Sequence, residues 1–140
     1  RGSSAFSNPK KFGCFLVMDP NNPTSINSAL RYWGCTIQTG AWVSGAFGIT
    51  SQLENLESLK RAKREFSPLP SAFISRLSMN NSIDWSRVLL DTSNKDARHL
   101  LNSLSSQGGD MPSPVRFDKK RKSVTIFMPG FDKSEIKLYQ

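Results

Sequence analysis

The segment that most constrains this chain is Cys14-Phe15-Leu16-Val17-Met18, an apolar run closed by Asp19-Pro20. It lacks the polar alternation of an edge strand, so it reads as a strand covered on both faces, the kind found in parallel sheets. A parallel neighbour requires a crossover, and the next residues supply one. Asn22 or Thr24 caps a helix, Pro23 suits its first turn, and Ile26, Leu30 and Trp33 recur at spacings of four and three, with Gly34 as the expected stop. Residues 36–47, with Ile37, Ala41, Trp42, Val43 and Phe47, then read as a second buried strand. Strand, helix and strand form a βαβ unit whose crossover should be right-handed.

The same logic places further elements. Ser51 with Glu54 reads as a capping box, and Leu53, Leu56, Leu59, Ala62 and Phe66 put one apolar stripe on a helix ending before Pro68. The prolines of "SPLP" (67–70) dictate an extended loop, and Phe73, Ile74 and Leu77 form a short buried segment. Asp84 caps a short helix with Trp85, Val88 and Leu89. Asn94 caps another, with Ala97, Leu100, Leu101 and Leu104 on its inner face until Gly108. Beyond "SSQGGDMPSP" (105–114) the period becomes strand-like: Val115 and Phe117, a charged turn "DKKRK", then Val124, Ile126 and Met128, and finally Ile136 and Leu138. Three such strands bury too little to stand alone, so this piece docks on the first unit or has lost its remainder. The expected division is an irregular lead-in (1–12), an α/β unit (13–107), a linker (108–114) and a β module (115–140).

A chain of 140 residues has room for one ordinary core or two small ones. Its longest apolar run falls far short of the ~20 residues of a membrane-spanning helix. The start at Arg1 reads as a processed or shortened product. Nineteen Lys and Arg against eleven Asp and Glu give +8, which permits a polyanionic partner without requiring one. Two clusters hold much of the excess, Lys60/Arg61/Lys63/Arg64 and Lys119/Lys120/Arg121/Lys122. The first alternates with Glu57 and Glu65, as solvated helix faces do, and neither is interleaved with aromatics, so a solvated face is favoured over nucleic-acid contact.

Catalytic signatures are missing from the sequence. Gly40, Gly45 and Gly48 are followed by no Lys-Ser or Lys-Thr, so they form no P-loop. His99 has no nucleophile elbow to serve. Cys14 and Cys35 form no C-x-x-C and, with a single histidine, no zinc set; both are expected as buried thiols in a reduced compartment. Ligands of open α/β sheets bind beyond the carboxyl ends of the strands, where Asp19 and Ser44 are expected. For Asp19 the turn-capping role and ligand contact both stay open.

Two segments carry a resemblance. "FLVMDPNNPTSINSALRYWGCTIQTGAWVSGAF" (15–47) resembles the late strand–helix–strand of the arsenical-pump and guided-entry ATPases, which deliver tail-anchored membrane proteins. "SVTIFMPGFDKSEIKLYQ" (123–140) is similar to the opening hairpin of an α-crystallin (small heat-shock) domain, in which "PGF-x-K-x-(E/D)-I-K" recurs. Together they resemble the plant and cyanobacterial branch of those ATPases, with its appended α-crystallin domain; residues 53–107 match only in element order.

The resemblance implies an α/β fold: the second half of a P-loop, Rossmann-like layer followed by the first strands of an α-crystallin-like β-sandwich. It implies a homodimeric ATP hydrolase that uses ATP and magnesium, shields a membrane-protein client and works in the chloroplast stroma, with the cytosol as the alternative. Ser44 stands where the family places the asparagine that meets adenine, and Pro68 and Leu69 would pack on the base. The family's phosphate loop and switch segments precede the matching region and are not in this sequence, so the chain is expected to be non-catalytic by itself. Two alternatives stand beside this reading: a non-enzymatic structural subunit of a larger assembly, and a basic-patch binder of RNA or lipid through residues 60–64.

Overall fold

The computed structural model describes residue 8 and residues 12–51, 55–75, 95–102 and 112–137. Strand β1 (Cys14–Met18) is followed by helix α1 (Pro23–Gln38), strand β2 (Val43–Thr50), helix α2 (Leu56–Glu65) and strand β3 (Ser71–Ser75). The three strands form one sheet in the order β1-β2-β3, parallel at both pairings. Helix α3 (Lys95–Asn102) comes next, then an antiparallel hairpin of β4 (Val115–Asp118) and β5 (Ser123–Ile126), and a single 3-10 turn at Lys133–Glu135. The protein is therefore mixed α/β, with a three-stranded parallel sheet and a two-stranded antiparallel one.

Period-two alternation divides the sheet into two faces. Leu16, Met18 and Ala46 point to one face and pack with Ile26, Ala29, Trp33 and Ile37 of α1 and with Ala62 and Phe66 of the α2 end. Each large side chain buried there contributes ~1.5–3 kcal/mol. Phe15, Phe47, Ala72 and Ile74 point the other way and meet Ala97 and Leu100 of α3. Two glycines of β2 leave room for their neighbours: a Cβ on Gly45 would stand 2.9 Å from a Leu100 methyl of α3, and one on Gly48 would run into the ring of its strand partner Phe73 in β3.

Helix α1 starts as its sequence predicts, with the Asn22 side chain accepting from the N–H groups of Thr24 and Ser25 and Pro23 in the first turn. Its end does not. The helix runs through Gly34 and stops at Thr39-Gly40, where Gly40 takes φ +78°, the left-handed conformation that closes helices. Residues 36–38 are thus helix rather than strand, and β2 begins seven residues later than expected. The cap of α2 is Asn55, whose side chain accepts from the Ser58 N–H, rather than Ser51; Glu54 lies outside the described residues. Residues 66–70 form a turn rather than an extended loop, with a cis Ser67–Pro68 bond and the Leu69 N–H donating to the Phe66 carbonyl at 2.7 Å.

Hairpin β4–β5 matches its expected position, but no third strand succeeds it among the described residues. Asp132 and Glu135 instead form a capping box on the 3-10 turn. Cys35 is exposed and Cys14 is half-buried, so the expected burial of both thiols does not hold. The expected helix at Asp84, Trp85, Val88 and Leu89, the Asn94 cap, Leu77, Leu104, Gly108 and Leu138 lie outside the described residues.

Candidate functional site

The segment after β5 lies along α1, and the physical reason starts at Gly34. With no Cβ there, Pro129 closes onto the helix; a methyl group at that position would stand 2.9 Å from Pro129 Cδ and 3.4 Å from Met128 Cα. Gly130 is fitted just as tightly, with φ +75° and room for no Cβ beside Asn27. Gly34 is therefore a docking position inside a continuous helix.

Arg31, one turn earlier on α1, holds the stretch beyond Pro129. Its Nη2 donates to both carboxylate oxygens of Glu135 at 2.7 and 2.8 Å, and its Nε donates to the Gly130 carbonyl at 3.0 Å. Its guanidinium lies 4.7 Å from the centre of the Phe131 ring, a charge-over-ring contact. Gln38 Nε2 donates to the carbonyls of Pro114 and Phe127, gripping the start and the end of the hairpin together. Between these two polar contacts the Phe127 ring meets Trp33 edge-on, with centroids 4.9 Å apart. The Asp132 N–H donates to Glu135, and that bond together with Arg31 holds the Glu135 carboxyl below its usual range. Asp132 is lowered likewise by the N–H and hydroxyl of Ser134.

Docking leaves a groove of about 590 Å³ between the hairpin and the 66–70 turn. Pro68, Pro112, Ile126, Met128 and Pro129 give it apolar walls, and Arg116 adds one cation. Its one serine, Ser113, donates its hydroxyl to the Val115 carbonyl at 2.7 Å and serves the backbone. The arrangement suits holding an apolar group beside an anionic one, and among the described residues no paired acid and base line it.

The four residues singled out from sequence do not converge. Asp19 comes directly after β1 at the carboxyl end of the sheet. Its carboxylate accepts from the Asn21 N–H at 2.9 Å and its own N–H donates to Ser25 Oγ, so it shapes the β1–α1 turn. Asn21 in turn donates to Thr50 at the end of β2. Ser44 lies at the opposite, amino end, because β2 starts at Val43, and it is 2% exposed. Pro68 faces the groove while Leu69 packs against the core below α1. These positions do not fit one nucleotide: the adenine-side residues are separated from Asp19 by the length of β2, and Ser44 is closed off by burial. Among the described residues no group of three His, Cys, Asp or Glu side chains is placed to hold a metal ion.

Sequence reading misses Arg31 and Gly34. Their signal, an arginine and a glycine on the turn facing a distant Pro-Gly-Phe-x-x-x-Glu, becomes visible only once the two segments are known to touch. In α2, Lys60 pairs with Glu57 at 3.1 Å and Arg61 with Glu65 at 2.7 Å, which neutralises half of the first basic cluster. His99 lies exposed on α3, outside the groove. Among the described residues no helix is long and apolar enough to cross a membrane. No protein-family model matches this chain, and no curated protein matches it.

Proposed function

We propose that this chain is a carboxyl-side scaffold of an ATP-dependent chaperone or targeting ATPase of the tail-anchored-protein type, non-catalytic by itself. One observation carries the reading. The "PGF-x-K-x-E" segment resembling an α-crystallin opening is clasped, through Arg31 and Gly34, onto the first helix of a parallel βαβ layer resembling the late half of such an ATPase. The two resembling segments thus act as one physical unit, in the order the resemblance requires. In this reading the phosphate loop, ATP and magnesium belong to a part of the ATPase outside this sequence, and the chain contributes packing and client-facing surface. A homodimer, a membrane-protein client and a stromal location belong to the same proposal. Calorimetric titration of the intact natural polypeptide with ATP and magnesium tests it. Saturable binding is expected, and a flat titration overturns the ATPase assignment.

A second reading, a non-enzymatic accessory subunit, draws on the open groove and on the bare apolar face of the hairpin, both of which suit a protein partner. Light scattering separates the two. A homodimer that binds nucleotide excludes the accessory subunit, whereas stable association with other partners and no nucleotide binding favours it.

A further inference from the structure

We propose that the β4–β5 hairpin is a docking element for an anionic lipid surface, with its basic tip on the headgroups and Phe117 and Val124 sunk into the interface. This inference does not rest on the ATPase reading; it stands on how the hairpin distributes charge and apolar surface.

Register fixes the two faces. Val115 pairs with Ile126 and Phe117 with Val124, and residues directly opposite in an antiparallel pair share a face, so these four apolar side chains form one patch. Arg116 and Thr125 occupy the other face and line the groove beside Pro68, and Ile126 reaches the same groove at the base of the hairpin, whereas Phe117 and Val124, nearer the tip, do not line it. Exposure rises along the patch toward the tip: Ile126 46%, Val124 57%, Phe117 74%. The largest side chain of the patch, Phe117, is also its barest.

The tip continues that gradient with charge. Residues 116–122 carry five cations and one carboxylate. That carboxylate, Asp118, accepts from the backbone N–H groups of Lys120 and Arg121 at 2.9 and 3.0 Å, so it shapes the turn, and it reaches the Arg121 side chain only at 3.9 Å. Lys119, Lys120 and Lys122 have no carboxylate partner among the described residues, in contrast to Lys60 and Arg61 of α2. The second basic cluster thus keeps more of its charge available than the first.

Cations and apolar side chains at one extremity meet the two requirements of stable peripheral membrane attachment, electrostatic attraction to anionic lipid and burial of apolar area. A nucleic acid would use the cations and stack one base on Phe117, but Val115, Val124 and Ile126 offer it no further stacking face. An acidic protein surface would favour forked Arg pairs over a tip made mainly of Lys.

Sedimentation of the full chain with phosphatidylcholine vesicles, with and without phosphatidylserine, tests the proposal. Binding is expected only with phosphatidylserine and should fall as salt rises. Replacing Lys119, Lys120, Arg121 and Lys122 by Ser should weaken it at least about tenfold, and Phe117→Ser should weaken it severalfold at constant charge. Lys60→Ser with Lys63→Ser should leave it unchanged. All these positions are exposed, and the salt titration of the unaltered chain needs no variant. Equal binding to neutral vesicles, no binding, or tip and Phe117 variants that bind like the parent overturns the proposal. So does retention on RNA or polyglutamate as strong as on phosphatidylserine and indifferent to Phe117, which assigns the tip to general polyanion binding.

Discussion

The parallel sheet and the hairpin are both short and both carry Phe, Val and Ile, yet their surroundings differ. Helices α1 and α2 cover one face of β1-β2-β3 and α3 packs on the other, so the strands bury Leu16, Met18, Val43, Ala46 and Ala72. In β5 every residue is exposed, and in β4 only Val115 is half-buried. A parallel pair cannot form without a crossover, so its connections deliver the covering helices along with the strands. An antiparallel hairpin closes through a tight turn and arrives with nothing to cover it. The hairpin is therefore held in place by its carboxyl-side neighbour, the 127–136 segment lying on α1, and its strands remain available for other contacts.

The largest effect is expected where both regions meet. Trp33 is 1% exposed, stacks on Phe66 with centroids 6.1 Å apart and takes Phe127 edge-on. Trp33→Ala should cost ~3–5 kcal/mol and lower the denaturant midpoint of both regions together. Loss in the hairpin alone would mean that Trp33 does not anchor the layer.

Gly34→Ala sharpens the comparison through its sign. In an undocked helix the change stabilises by ~1 kcal/mol. Here the new methyl would meet Pro129, and overpacking of that kind costs ~1–3 kcal/mol. Net destabilisation in thermal unfolding, together with faster hydrogen exchange in 123–126, is expected; a more stable protein would mean the segment is not seated on α1.

Glu135 gives the clasp a pH dependence. Its folded value lies below the ordinary glutamate value because the Asp132 N–H and Arg31 hold its charged form. The contribution is therefore complete above the ordinary value of about 4.3 and is lost as pH falls through the lower folded value. Hydrogen exchange of the hairpin should rise across that acid range, and Glu135→Gln should reduce the dependence to the part carried by Asp132 and leave the hairpin loosened at neutral pH. A smaller effect still belongs to Phe117→Ser. With 74% of the residue in water, unfolding free energy should change by less than ~0.5 kcal/mol, and a large loss in chemical denaturation would place Phe117 in a core.

Local chemistry makes the elements with local causes legible. The run at 14–18, the Asn22 cap with Pro23, and the hairpin around "DKKRK" all appear where the sequence places them, although the run forms an edge strand with Val17 60% exposed rather than one covered on both faces. Gly34 misleads because its reason is tertiary: a glycine in a helical pattern signals a stop unless another segment needs the missing Cβ. That error carries β2 forward and sets Ser44 at the wrong end of its strand, which dissolves the expected site. Alternation alone reads Ile136 as strand, although Asp132-x-x-Glu135 spells a capping box. The groove is legible only as Pro68, since its other wall comes from residues more than forty positions away.

The most direct test of the docked arrangement is a proton Overhauser spectrum of the full chain with Phe127 and Trp33 assigned. Ring centroids 4.9 Å apart require strong cross-peaks between the Phe127 ring and the Trp33 indole, accompanied by contacts from the Arg31 side chain to the Phe131 ring. Absence of both sets in a sample whose β1–β2 contacts are intact would contradict a hairpin clasped to α1, and with it the unity of the two segments on which the proposed function rests.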